Sequence, residues 1–95
     1  MTLYTLLTEA RPNLAEIVGG FFDGATITTG VGLYKGTKED GARIEIIGEP
    51  KDWQAISGLA TAIRNINAQS SVYITETDIT FTEVIESGVP EYGYY

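Results

Sequence analysis

The 95-residue chain has no cysteine and no histidine. Without Cys there is no disulfide framework, no thiolate nucleophile and no zinc-ribbon ligand set. Without His there is no Ser-His-Asp triad and no imidazole acid or base. No apolar run approaches the roughly 18 residues that a membrane helix needs. The opening Met1-Thr2-Leu3-Tyr4-Thr5-Leu6-Leu7 lacks a basic region and alternates as a strand does, so it reads as structure rather than a leader. The expectation is a cytoplasmic protein with no membrane contact. Basic residues are scarce too: six Lys+Arg against thirteen Asp+Glu give a net charge of −7. Direct binding to nucleic-acid phosphates needs a basic surface, so it is excluded.

What is present is a globular composition, with 43% hydrophobic and 11% aromatic residues. Its charge is unevenly placed. Residues 65–95 hold no Lys or Arg and five acids (Glu76, Asp78, Glu83, Glu86 and Glu91), whereas the first 64 residues hold all six bases and the other eight acids. An acidic face of this kind is suited to a basic protein partner.

Thr2–Thr8 reads as a strand. Asn13 stands where it caps a helix, with Glu16 three residues on as in a capping box. Leu14, Ile17, Val18 and Phe21 follow at helical spacing. Gly19-Gly20 weakens the last turn. From Ala25 to Lys35 the period is two, with Ile27, Thr29, Val31 and Leu33 on one face. Gly30 and Gly32 on the other suggest a bulge, a bend or a close backbone approach. Residues 36–41 read as a hairpin loop and Ala42–Ile47 as the returning strand. In the second helix Asp52 is the expected cap, and Ile56, Leu59, Ala60, Ile63 and Ile66 form the apolar stripe, ending at Asn67. In Ser71–Val84 the apolar positions change parity between Ile74 and Ile79, which predicts a bend at Glu76-Thr77-Asp78. The order β-α-β-β-α-β predicts an α+β, ferredoxin-like sandwich over residues 1–85: an antiparallel sheet, two helices on one face, and a bent or split last strand. Residues 86–95 form a Tyr-rich tail. The second sheet face is either polar or covered by a second subunit.

Several stretches resemble a family of small, uncharacterised α+β proteins of bacteria and tailed phages. They are Met1-Thr2-Leu3-Tyr4 in the first strand, Phe21-Phe22-Asp23-Gly24-Ala25-Thr26 after the first helix, Gly30, Gly32 and Tyr34 in the second strand, and Gln69-Ser70-Ser71-Val72 before the last. The family pattern has Pro where Phe22 stands, Glu where Ser70 stands, and one more residue in the first motif. The resemblance implies a ferredoxin-like fold and oligomerisation, and carries over no catalytic residues.

Candidate ligand-binding residues are Tyr34, Lys35, Arg43 and Arg64, whose phenol, ammonium and guanidinium groups suit an anion or nucleotide. Lys35 and Arg43 flank the hairpin, with Glu39, Asp40 and Glu45 near enough to neutralise them in a surface network. Candidate interface residues are Trp53, the acids Glu76, Asp78 and Glu83, and Tyr92, Tyr94 and Tyr95 of the tail. Glu76 and Asp78 are too few for a metal site by themselves, and a solvated strand edge accounts for them. No catalytic constellation, metal set or cofactor motif stands out. The expected function is a non-enzymatic, homo-oligomeric protein-interaction module. In a phage setting it would be an inhibitor of a host defence protein or a virion component, in host cytoplasm or virion. The alternative is a small-molecule or nucleotide-sequestering protein with a pocket between subunits.

Overall fold

The computed structural model describes residues 1–80 and Glu83. Four strands and two helices run in the order β1 (Thr2–Glu9), α1 (Leu14–Gly19), β2 (Thr26–Tyr34), β3 (Thr37–Gly48), α2 (Trp53–Ile66) and β4 (Tyr73–Asp78), with a single 3-10 turn at Pro50–Asp52 before α2. The strands form one antiparallel sheet in the order β2-β3-β1-β4. The molecule is thus a small α+β fold, broadly consistent with a ferredoxin-like one.

Register follows from the period-two pattern. Tyr4 stands opposite Ile46 and Leu6 opposite Ile44, so the even-numbered residues of β1 and β3 share a face. Those side chains, with Ala42, pack with Leu14 and Val18 of α1 and with Ile56, Leu59, Ala60 and Ile63 of α2 into the buried core. Burying each Leu, Ile or Val of this set contributes about 1.5–3 kcal/mol. Gln69, at the mouth of β4, is buried and polar; its Nε2 donates to Thr8 Oγ1 at 2.7 Å, tying the α2–β4 connection to β1.

The expected cap residues are used differently. The Asn13 side chain makes no cap bond; its Nδ2 donates to Asn67 Oδ1 at 2.8 Å, joining the start of α1 to the end of α2. The Asp52 carboxylate points backwards and accepts from the Glu49 backbone N–H at 2.8 Å, closing the 3-10 turn rather than capping α2. Ile66, the last expected member of the α2 stripe, is exposed, as is Phe21, which lies beyond the short α1.

The hairpin also differs. β2 and β3 pair without interruption from Thr26–Glu45 to Tyr34–Thr37, so the turn is Lys35-Gly36 and not the six residues 36–41. Both turn residues have positive φ (50° and 78°), the condition for a type I′ turn, whose twist matches that of the strands. No bulge interrupts β2. A side chain at Gly30 would meet nothing within 4 Å and one at Gly32 only the Glu39 carbonyl of the paired strand at 3.9 Å, an ordinary contact, so neither glycine is required by a close backbone approach. The bend expected at Glu76-Thr77-Asp78 is absent, because β4 keeps one register against β1 from Tyr73–Leu7 to Asp78–Thr2. Beyond Thr80, everything expected of the last strand and tail except Glu83 lies outside the described residues, Tyr92, Tyr94 and Tyr95 included.

An open sheet face and an acidic cleft

The odd-numbered face of β1, β3 and β4 is open to solvent at three large apolar side chains: Leu7 (41% exposed), Ile47 (51%) and Tyr73 (66%). Leu7 and Tyr73 are direct cross-strand partners, and Ile47 stands opposite Leu3. Threonines fill much of the remainder, with Thr5 opposite Thr75 and Leu3 opposite Thr77. Such a face is half polar and half apolar, and its apolar members sit at both ends of β1.

Past the end of β1 the hairpin continues alone. Glu9 pairs with Gly41, and from Val31–Asp40 to Tyr34–Thr37 the two strands have, among the described residues, only each other as sheet partners. Val31 and Leu33 fall on the core-facing side but beyond the core, at 68% and 74% exposed. Between this arm and the start of β4 lies a cleft of about 520 Å³ with Leu7, Leu33 and Tyr73 among its apolar lining and Glu9, Glu39 and Asp40 among its polar lining. The carboxylates disfavour an anionic guest and favour a cationic one. Among the described residues no group of three or more His, Cys, Asp or Glu is placed to hold a metal ion.

The four residues expected to hold an anion are not brought together. Lys35 is in the turn at the tip of the arm, while Arg43 is opposite Thr28 in the body of the sheet. The six residue steps from Thr37 to Arg43 span about 20 Å of extended strand, which separates the two cations. Arg64 is engaged at the end of α2, donating from Nε to Ser70 O at 3.1 Å and from one terminal nitrogen to Asn65 Oδ1 at 3.0 Å. Tyr34 closes the arm against Thr37 through its backbone.

Of the candidate interface residues, Trp53 is 46% exposed at the start of α2, so it is not a core residue. Glu76 and Asp78 are exposed along edge strand β4, and Glu83 is exposed beyond it. Tyr4 is fully buried, and its hydroxyl donates to Glu49 O at 2.8 Å. Its pKa is raised above the ordinary phenol value, first by loss of hydration and then by the nearby carboxylates of Glu76 and Asp52; a hydrogen bond with Thr2 opposes them. The cleft escaped sequence reading because Glu9, Glu39 and Tyr73 come from three separate strands. Period two assigns each a face, but only the strand order brings them to one end of the sheet.

The fold defines a class, small α+β proteins with a four-stranded antiparallel sheet and two helices. Within it the chain is similar to a DUF3240 family protein from Shewanella baltica OS155, with a TM-score of 0.61 and 14% identity over 90% of this chain and 96% of that one. A de novo designed protein, Foldit4, aligns with a TM-score of 0.47 and 12% identity over 83% of this chain and 96% of its own. No protein-family model and no curated protein matches the sequence. The Shewanella likeness is one of fold. Among the described residues no helix is long and apolar enough to cross a membrane.

Proposed function

We propose that this chain is a non-enzymatic protein-interaction module that works as a homo-oligomer, built on a ferredoxin-like βαββαβ sandwich with both helices over the even-numbered sheet face. The shared core of even-numbered strand residues and both helices supports that layering. The observation that carries the function is the open face: Leu7, Ile47 and Tyr73 are large apolar groups left in water. They lie on one sheet face that no element among the described residues covers, the Leu7–Tyr73 pair at one end of β1 and Ile47 at the other, and uncovered apolar surface supports an association face. The occupant is a second copy, and the acidic residues at the β4 side remain available to a basic partner protein. The lack of His and Cys agrees with binding rather than catalysis. In a phage, such a module acts on a host defence protein or within the virion.

The test is the mass of the purified chain by light scattering, with Ile47→Asp as the variant. An oligomer that Ile47→Asp disperses supports the reading. A strict monomer at all concentrations, with no protein retained from a host lysate, overturns it. A second reading, a sequestering protein, draws on the cleft, whose volume is in the range of small-molecule sites. Its carboxylates exclude nucleotides and anionic metabolites as first choices and direct a thermal-shift screen to cationic compounds; no stabilised hit removes this reading.

A further inference from the structure

We propose that the outer edge of β2 is a pairing edge for a second copy of this chain, strand β2 lying antiparallel to its symmetry mate across a two-fold axis near Gly30. This rests on the homo-oligomer reading above and adds a contact distinct from the open face.

Among the described residues both outer strands of the sheet, β2 and β4, present an unpaired row of backbone donors and acceptors. Proteins protect such rows with charge, proline or short length. β4 is short and carries Glu76 and Asp78. β2 has nine residues, all without charge or proline, and the uncharged stretch extends over residues 24–34. In a chain of net charge −7 this is where two copies approach with least repulsion, and it lies at the opposite edge of the sheet from the acidic β4.

The hairpin dictates which groups point outward. A two-residue turn closes on a hydrogen-bonded pair, here Tyr34–Thr37, and such pairs alternate along an antiparallel ladder. The even residues of β2 therefore bond to β3, and the N–H and C=O of Ile27, Thr29, Val31 and Leu33 face outward. A two-fold axis at Gly30, the midpoint of Thr26–Tyr34, sets Val31 opposite Thr29 of the mate and Leu33 opposite Ile27. All of these are outward-bonding positions, so the register is self-complementary, as an isologous contact requires. It also lays the exposed Val31 and Leu33 of each arm beside the mate's half-buried Ile27.

Because the chain has no native Cys, a single cysteine reports the axis. Gly30 is a non-hydrogen-bonded position in this pairing, with Cα atoms about 4.5 Å apart, within disulfide reach, and its side-chain direction is empty to 4 Å. The expected result is that Gly30→Cys forms a covalent dimer under mild oxidation while Thr26→Cys, at the strand end, does not. Val31→Pro removes an outward N–H that β3 does not use, so it lowers the mass of the assembly; Val31→Lys gives the same loss and guards against a folding defect in the proline variant. Circular dichroism of both variants reports the fold. A wild-type oligomer that Ile47→Asp disperses, but that keeps its mass with Val31→Pro and Val31→Lys, overturns the β2 contact and leaves the open-face reading intact. Loss of mass with the Val31 variants, with Ile47→Asp unchanged, supports the β2 contact and removes the open-face one. A monomer throughout, without Gly30→Cys crosslinking, overturns both and leaves the edge to a foreign strand.

Discussion

Tyr4 shows how a single buried group sets a pH limit. Its hydroxyl donates to Glu49 O, and its raised pKa means the folded state retains a proton that the unfolded chain gives up near pH 10. Stability from this group is complete below that value and is lost as pH rises through the higher folded pKa. Denaturation midpoints should fall as pH rises above about 10, the ordinary phenol value, and less steeply in Tyr4→Phe. At the end of α2, Gln69 N bonds Arg64 O at 2.9 Å and Ala68 N bonds Asn65 O at 3.3 Å, the two bonds of a Schellman motif. Its left-handed position, φ 52°, is held by Ala68, where glycine is favoured. Ala68→Gly should stabilise the chain by about 1 kcal/mol, seen as a higher urea midpoint with unchanged slope. Asn67 was legible as the stop. The alanine after it was not, because alanine is the best helix former and carries no mark of a left-handed turn.

At the scale of elements, α2 was the most readable, since four of its five stripe positions are buried: Ile56, Leu59, Ala60 and Ile63. The hairpin was readable as a hairpin but not in its length. Gly36, Asp40 and Gly41 are all turn-forming types, and a polar run between two apolar strands reads as loop. In the structure Thr37–Gly41 is strand because β2 supplies pairing partners from Tyr34 down to Gly30, leaving Lys35-Gly36 to turn. Gly36, at φ 78°, meets that demand without a Cβ. Gly36→Ala should cost about 1 kcal/mol, as measured by chemical denaturation, with faster amide exchange confined to the arm, whereas Gly30→Ala, in open space, should leave the arm's exchange near wild type. The arm has no core beneath it, and a two-stranded ribbon is marginally stable alone. Its order therefore depends on this turn and on whatever covers Val31 and Leu33.

At the scale of the molecule, position along the chain foretold charge better than it foretold the site. The acidic last third was plain in the sequence, and β4 carries Glu76 and Asp78 of it to one edge of the sheet. Placing the cations needed strand register, which separates Lys35 from Arg43, and the terminal bonds of α2, which occupy Arg64. Apolar spacing alone could not show that Leu7, Ile47 and Tyr73 would share the uncovered face, since that depends on the pairing of β1 with both β3 and β4. The charge then governs how that face and the β2 edge are used. Two copies of net charge −7 repel at long range, and the Debye length shrinks from about 30 Å at 0.01 M to about 10 Å at 0.1 M salt. Self-association should therefore strengthen with salt, with a dimer dissociation constant several-fold lower at 0.3 M than at 0.02 M NaCl by sedimentation equilibrium. A contact held by ion pairs moves the opposite way, because screening weakens attraction between opposite charges. Strengthening in salt is thus the signature of apolar and backbone contacts formed against a like-charge field, and weakening would assign the association to the charged residues instead.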